Sequence, residues 1–490
     1  MKKLFVLLLV LATVLSVLAA CAEGNEGQPD QTGNRESGDA EVLDNVPDEL
    51  DYRGEEVLII SRALQGWTQD EVAVPELNSE PINDAVFNRN LTVSDRLGVN
   101  IVSYAIDDPN PETPVQAVRD AVLAGSDEYD LLAGACYLVM YTTLEGNFRD
   151  LTQLTHLDLS QSYWTQDYND TLSFDGKQYS ATGMISLSNY RFAFVTAFNK
   201  SVFDDRSVPY LYEAVNNGEW TLDYQATLAE NFYRDLNGNG DKDEDDFYGL
   251  ITSTGISTDP YWASCDVSLL EKNADGEYEW VLDVQRLSDV TDKILKLYYE
   301  SGSYVYVGDD ADAEQDDLRR DFTNSKAAMI TTRLVAVEQP DMRNMEQPYG
   351  IVPMPKFEKS QKEYGTQQHD QITVYGIPVT VKEDKVEMLG AVMEVMASES
   401  QRLVKPAYYE IALKRKYMSD PIAWDMLDKI FDTVHIDAGV MYVSVLGGPH
   451  AQLRDIAASK QNTVSSTYSK LASSVKKELD KVHEQLEALG

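Results

Sequence analysis

Basic residues are scarce in this chain: 41 Lys and Arg stand against 82 Asp and Glu over 490 residues, a formal charge of −41. So negative a field repels phosphate backbones and anionic headgroups, which excludes nucleic acid and a basic-patch membrane mode. An anionic ligand would need a local cationic pocket. Cysteine is rarer still: Cys21, Cys136 and Cys265 are the only three, too few for a disulfide scaffold. Cys136 and Cys265 are far apart in sequence and are expected to be unpaired and buried. The five histidines are scattered, with no His-Glu-x-x-His zinc helix, and there is no Gly-x-Ser-x-Gly elbow. No tandem repeat is present, which excludes solenoids and propellers. Past the first twenty residues, no apolar run is long enough to cross a bilayer.

What is present begins with a leader: Lys2, Lys3, an apolar run from Leu4 to Ala20, then "LAAC" ending at Cys21. Residues 1–20 are expected to be a secretory signal. The small-small-Cys ending resembles the lipobox at which bacterial lipoproteins are cleaved, so Cys21 is expected to become an acylated N-terminus. Loss of Lys2 and Lys3 would take the charge from −41 to −43. Residues 21–49 ("CAEGNEGQPDQTGNRESGDAEVLDNVPDE") have almost nothing to bury and read as a flexible acidic tether with a reach on the order of 25 to 30 Å.

Beyond the tether the composition is globular, 43% hydrophobic and 10% aromatic, and long enough for two or more cores. "EEVLIISR" (55–62) predicts a buried strand. "PINDAVFNRNLTVSDRL" (81–97) predicts a helix stopped by Gly98, followed by a strand over Val99–Tyr104. "VQAVRDAVLAGSDEYDLLAG" (115–134) repeats the helix-then-strand order. Further strands are expected at "KQYSATG" (177–183), "RFAFVTAFNKSVF" (191–203) and "YGLIT" (248–252). Helices are expected over "TLDYQATLAENFYRDL" (221–236) with Thr221 as cap, "LSDVTDKILKLYYESG" (287–302), 382–398, and the terminal segment, where Leu471, Val475, Leu479, Val482 and Leu486 recur at spacings of three and four. Such alternation implies parallel sheet covered on both faces.

"DLNGNGDKDEDD" (235–246) is unusually dense in oxygen ligands. Counted from Asp235, side-chain oxygens fall at positions 1, 3, 5 and 9 (Asp235, Asn237, Asn239, Asp243), Gly240 occupies the turn at 6, and Asp241 offers its carbonyl at 7. A flexible shell of hard oxygens suits Ca2+, in a structural role. Position 12 is Asp246, shorter than the glutamate an EF-hand places there. A solvated acidic turn is the competing reading.

Several ordered stretches resemble the extracellular solute-binding protein family 1, the carbohydrate ABC-transporter lipoproteins common in Gram-positive gut bacteria. They are "GSDEYDLLAG" (125–134), "DLSQSYWTQDYNDTLSFDGKQYSATG" (158–183), "GEWTLDYQATLAENFYRDLNGNGDKDEDDFYGL" (218–250), "FTNSKAAMI" (322–330), "YGIVPMPKF" (349–357) and "YGIPVT" (375–380). The family's usual Gly before Lys-Ala-Ala-Met is Ser325 here. The resemblance implies a type II periplasmic-binding-protein-like clamshell, each lobe a mostly parallel α/β sheet flanked by helices. Lobe 1 would be 50–188 plus 352–398 and lobe 2 189–351 plus 399–490. It implies a monomer, lipid-anchored on the extracellular face of the cell membrane, that captures a sugar or oligosaccharide and delivers it to ABC permease subunits without catalysis. Some polysaccharide-binding members close a similar acidic loop with an Asp-Glu pair, which makes Glu244 the first choice for the last calcium ligand and Asp246 the reserve.

A sugar needs aromatic plates for its ring faces and polar partners for its hydroxyls, and ligands collect at the carboxyl ends of parallel strands. Candidates are Arg62 and Trp67 after the first strand, Tyr137, the pair Tyr261 and Trp262, and Tyr375; core packing is the alternative for each ring. Two other classes remain open: a surface-anchored glycoside hydrolase, since 82 acidic residues guarantee carboxylate pairs, and a calcium-dependent adhesion module.

Overall fold

The computed structural model describes residues 44–64, 66–307, 311–409, 411 and 422–489. The leader, Cys21 and nearly all of the tether lie outside the described residues. In chain order the strands are β1 Glu55–Arg62, β2 Val99–Ile106, β3 Leu131–Ala135, β4 Phe194–Asn199, β5 Tyr248–Ser253, β6 Leu270–Lys272, β7 Tyr278–Trp280, β8 Ser303–Tyr306, β9 Ala327–Arg333, β10 Tyr349–Pro353, β11 Thr366–Gln367, β12 Thr373–Gly376 and β13 Val434–His435. They form two main sheets, ordered β12-β3-β1-β2 and β10-β4-β9-β5-β8, with β6-β7 and β11-β13 as small pairs.

In the first sheet β1 lies parallel to both β2 and β3, and β12 closes the edge antiparallel to β3. Period-two alternation sends its side chains to opposite faces. Val57 and Ile59 meet Val93 and Leu97 of the helix Pro81–Leu97 and Leu389, Val392 and Met396 of the helix Glu383–Glu399. Ile60 and Leu132 share the other cluster with Val115 and Val118 of the helix Glu112–Leu123.

The second sheet is evenly mixed: β5 is parallel to β8 and β9, whereas β4 is antiparallel to β9 and β10. "Mostly parallel" therefore describes the first sheet only. Val195, Ile251 and Ile330 pack on one face with Leu318 and Phe322, and Phe198, Leu250 and Met329 on the other with Ala229 and Phe232.

The predicted helices form, that of Leu222–Phe232 starting at Thr221, whose Oγ1 accepts the Tyr224 N–H at 3.3 Å. The C-terminal helix Val464–Ala488 packs its Val475, Leu479, Val482 and Leu486 face inward. Two strand expectations need correction. "KQYSATG" makes only isolated bridges, Phe174 with Lys177, Ala181 with Tyr375 and Trp164 with Gly183; the Gln178 amide donates to the Ser180 carbonyl and the Ser180 hydroxyl pairs with that of Tyr168. The strand within "RFAFVTAFNKSVF" stops at Asn199, whose Oδ1 accepts the Val202 N–H at 3.3 Å and starts the helix Lys200–Asp205. Cys136 and Cys265 are buried and unpaired.

Candidate functional site

Loops from the carboxyl ends of both sheets meet over the segment Gln367–Gln371, which carries the chain into β12. From the first sheet, Arg62 ends β1 and donates through Nη1 to Gln371 Oε1 (2.9 Å) and through Nη2 to the Gln371 carbonyl (3.3 Å). The Tyr137 N–H, just past β3, donates to the Asp370 carbonyl at 3.1 Å. Burial, with Asp370 nearby adding to it, pushes the Tyr137 phenol up to about 12. From the second sheet, Arg333 ends β9 and lays its guanidinium 4.1 Å from the ring centre of Trp67, which also packs on Phe192 at 6.3 Å. Arg191 pairs with Glu338 at 2.9 Å and donates to the carbonyls of Trp67 and Gln69, fastening the loop after β1 to the second sheet's side.

Beneath these contacts lies a cavity of about 10 Å³ lined by Phe194, Asp259, Trp262, Gln367, Gln368, His369, Asp370, Val440 and His450. Four polar atoms of its lining, Trp262 Nε1, Gln367 Oε1, His369 Nε2 and His450 Nδ1, are buried without a hydrogen-bond partner among the described residues. Buried polar groups are nearly always satisfied by protein or by ordered water, and a void of this size holds one small polar group between the four atoms. The two carboxylates there are compensated. Asp259 is gripped in bidentate fashion by Arg454, Nε to Oδ1 at 2.7 Å, and Asp370 Oδ1 lies 2.7 Å from His369 Nδ1. Burial pushes Asp370 up, but His369, His450 and Arg454 together outweigh it and hold the carboxyl down at about 2. Burial holds His450 below its ordinary value, opposed by Asp259 and Asp370. A polar recess of about 590 Å³ opens between the loop after β1 and the segment following β9, lined by Gly66, Gln69, Asp70, Glu80, Arg191, Glu338 and Arg343 among others, with no aromatic ring in its wall.

The structure therefore brings Arg62, Trp67, Tyr137 and the edge of Trp262 to one place. It separates Tyr261 and Tyr375, both 0% exposed. Tyr261 packs on Tyr298 at 6.3 Å in the core of the second sheet's side, and Tyr375 stands on β12 among the first sheet's core residues. Neither presents a ring face to a ligand; their aromatic surface is consumed by packing. Trp67 offers its face only where Arg333 leaves it. His369, His450, Gln367, Asp259 and Arg454 were not singled out in the sequence. The run "QQHDQ" (367–371), five consecutive polar residues from the end of β11 toward β12, was the available signal.

The acidic loop closes on itself. Asp235 accepts the N–H groups of Gly238 (2.6 Å) and Gly240 (2.9 Å), and the amides of Asn237 (3.1 Å) and Asn239 (2.7 Å) donate to Asp243. Glu244 is exposed. Asp246, by contrast, is buried and accepts from Leu236 N (3.1 Å) and the Tyr233 hydroxyl (2.8 Å). The inward carboxylate at the loop's end is thus Asp246, not Glu244, because the tight turn before β5 throws position 10 outward. Among the described residues no three His, Cys, Asp or Glu side chains are arranged to hold a metal. The oxygens of the Asn237 and Asn239 amides accept the Asn239 N–H (3.0 Å) and the Asp241 N–H (2.7 Å), so a cation here would need both amides to turn.

No protein-family model matches this chain, and no curated protein sequence matches it. Solved structures do. The maltose/maltodextrin-binding domain from Bdellovibrio bacteriovorus bound to maltotriose is 16% identical, covering 88% of this chain and 99% of its own, with a TM-score of 0.51. An ABC substrate-binding protein from Listeria monocytogenes in complex with cycloalternan is 14% identical over 89% and 99%, TM-score 0.52. An ABC-transporter solute-binding protein from Thermotoga lettingae bound with alpha-D-tagatose is 12% identical over 87% and 100%, TM-score 0.55. At such identities the likeness is one of fold: this chain has the two-lobed, periplasmic-binding-protein-like α/β architecture.

Proposed function

We propose that this protein captures a carbohydrate, as an oligosaccharide, between its two sheets and hands it unchanged to the permease of an ABC importer. The observation that carries this reading is the polar cavity with four unsatisfied atoms at the meeting of both sheets' carboxyl ends. The recess between the loop after β1 and the segment following β9 has a volume in the range of small-molecule sites, about 300 to 1,000 Å³, and a polar lining that includes Gln69, Asn78, Asn83 and Arg343. The fold neighbours carry sugars, which agrees with a hydroxyl-rich guest. A lipid on Cys21 would hold the protein at the outer face of the membrane, and the 21–49 tether would let it turn.

Hydrolysis is disfavoured by the same geometry. A glycosidase needs a carboxylic acid that keeps its proton, yet Asp370 is held at about 2 and Asp259 is engaged by Arg454. Incubating the purified protein with an oligosaccharide panel should raise its melting temperature for at least one member, by mass action. The sugar should be recovered intact and the radius of gyration should fall on binding. Shortened products would instead establish an enzyme.

We assign the loop 235–246 to structural Ca2+, held by Asp235, Asn237, Asn239, the Asp241 carbonyl and Asp243, with Asp246 in the place first given to Glu244. Calcium titration after chelation should show one site with affinity on the order of 0.1 to 1 mM, as in extracellular modules. The site should vanish in the Asp235→Ala, Asp243→Ala double variant. Equal binding by both proteins would remove the metal from this loop.

A further inference from the structure

In the loop after β1, residues 68–72 are fastened at every position but one. Thr68 Oγ1 accepts the Leu64 N–H and donates to the Arg62 carbonyl, and the Gln69 carbonyl accepts from Arg191 at 2.9 Å. Glu71 is buried and accepts from Ser186, Ser188 and Thr373, while Arg89 holds the Glu71 and Val72 carbonyls. Asp70 stands between these clamps with φ +60°, a left-handed conformation that Asp and Asn adopt more readily than most side chains. It lines the recess of about 590 Å³, and its carboxylate makes no hydrogen bond or ion pair among the described residues.

The other charges of that wall are paired. Arg191 spends its guanidinium on Glu338 and on the carbonyls of Trp67 and Gln69, and Arg343 meets Glu80 at 3.3 Å. Burial pushes the Asp70 carboxyl up, with Arg191 opposing and Glu338 adding to the rise. Asn83, 6% exposed, donates through Nδ2 to the Glu76 carbonyl at 2.8 Å and to Asp84 at 3.2 Å, which leaves its Oδ1 as a second acceptor. A half-buried acceptor without a donor is satisfied by a guest that donates. Hydroxyls can donate to Asp70 and Asn83 and also accept from the Arg343 N–H groups that Glu80 leaves over. An ammonium would meet Arg343 with like charge.

We propose that Asp70 is the residue by which this recess reads its solute: both carboxylate oxygens accept from hydroxyls of the sugar, with Asn83 Oδ1 as a further acceptor and no ring stacked on the guest. The proposal rests on the solute-capture reading and adds the contact that decides which sugars the recess holds.

Calorimetry on the purified protein, with neutral di- and trisaccharides of glucose, mannose, galactose and xylose, should find at least one that binds. Asp70→Asn keeps the shape, suits the left-handed backbone and replaces one acceptor oxygen by a donor. It should bind that sugar at least about tenfold more weakly, the usual contribution of a hydrogen bond to a charged group. Its melting temperature without sugar should not fall, because the carboxylate it removes has no partner. Should the Asn variant melt lower, Asp70→Gly, which the same φ permits, is measured in its place with the same loss expected. A smaller loss in a variant that melts with the parent removes Asp70 from the contact and leaves solute capture standing. Spermidine binding that disappears with Asp70→Asn, where no sugar binds, makes Asp70 a cation site and overturns the hydroxyl reading. Failure of every sugar and of spermidine brings down both readings.

Discussion

Glu394 shows how much one buried side chain can couple stability to pH. It lies 1% exposed on the helix Glu383–Glu399, accepting from the Tyr163 hydroxyl, from Trp164 Nε1 at 3.0 Å and from the Asp158 N–H at 3.2 Å. Burial nevertheless pushes its carboxyl up to about 7, against the three donors. A carboxyl raised on folding binds more protons folded than unfolded, so its contribution is fully present below the unfolded value near pH 4.5. It is lost as pH rises through about 7. Urea unfolding from pH 4.5 to 8 should therefore show about 2 to 3 kcal/mol of decline from this group. Glu394→Gln should flatten that decline; an unchanged slope would mean another group is responsible. Asp370, held at about 2, works in the opposite sense and loses its contribution only in strong acid.

Among the elements, two backbone positions explain sequence choices that composition leaves opaque. Ser325 follows the helix Ala311–Thr323 with φ +58°, in the left-handed region that disfavours side chains, and leads into β9. That conformation is the physical reason a glycine suits the position before Lys-Ala-Ala-Met. Ser325→Gly should stabilise by about 0.5 to 1 kcal/mol in denaturant titration, the relief of strain exceeding the added freedom of the unfolded chain. Gly249 on β5 is the converse case. A Cβ there would lie 2.1 Å from the Ala229 carbonyl oxygen and 2.3 Å from its Cα, where the helix Leu222–Phe232 crosses the sheet. Gly249→Ala should cost about 1 to 3 kcal/mol, because helix or strand must shift. A neutral result would show that the crossing is looser than these distances.

For the whole molecule the decisive feature is the knot that joins the passages between the sheets. Glu71, buried after β1, accepts from Ser186 Oγ (2.7 Å), Ser188 N (2.8 Å) and Thr373 Oγ1 (2.6 Å), tying the chain that leaves the first sheet's region to the chain that returns at β12. Arg89, fully buried, donates to the carbonyls of Glu71 and Val72 and to Ser400 Oγ at 3.3 Å, adding the exit of the helix Glu383–Glu399. Removing the acceptor strands several buried donors at once, so Glu71→Ala should lower unfolding free energy by about 2 to 4 kcal/mol. It should also broaden the distribution of shapes seen by X-ray scattering. A loss under about 0.5 kcal/mol would show the knot to be incidental.

The sequence alone determined the longer helices and the strands at 55–62, 99–106, 131–135 and 248–253, because helix and strand periodicity, Thr221 as a cap and Gly98 as a stop are local properties of the chain. It also determined the excess of negative charge and, through ordered short stretches, the two-lobed architecture. It placed Arg62, Trp67 and Tyr137 near the meeting of the sheets because strand ends can be read locally. Tertiary structure decided which of the candidate rings are consumed by packing. Tyr261 and Tyr375 have the same composition and setting as exposed plates, and only the packing around them uses up their faces. It also brought His369 and Gln367 beside Trp262 and His450, residues whose long sequence separations no local pattern bridges. Whether a buried polar atom is satisfied depends on neighbours in space, and that is why the candidate site became legible only once the chain was folded.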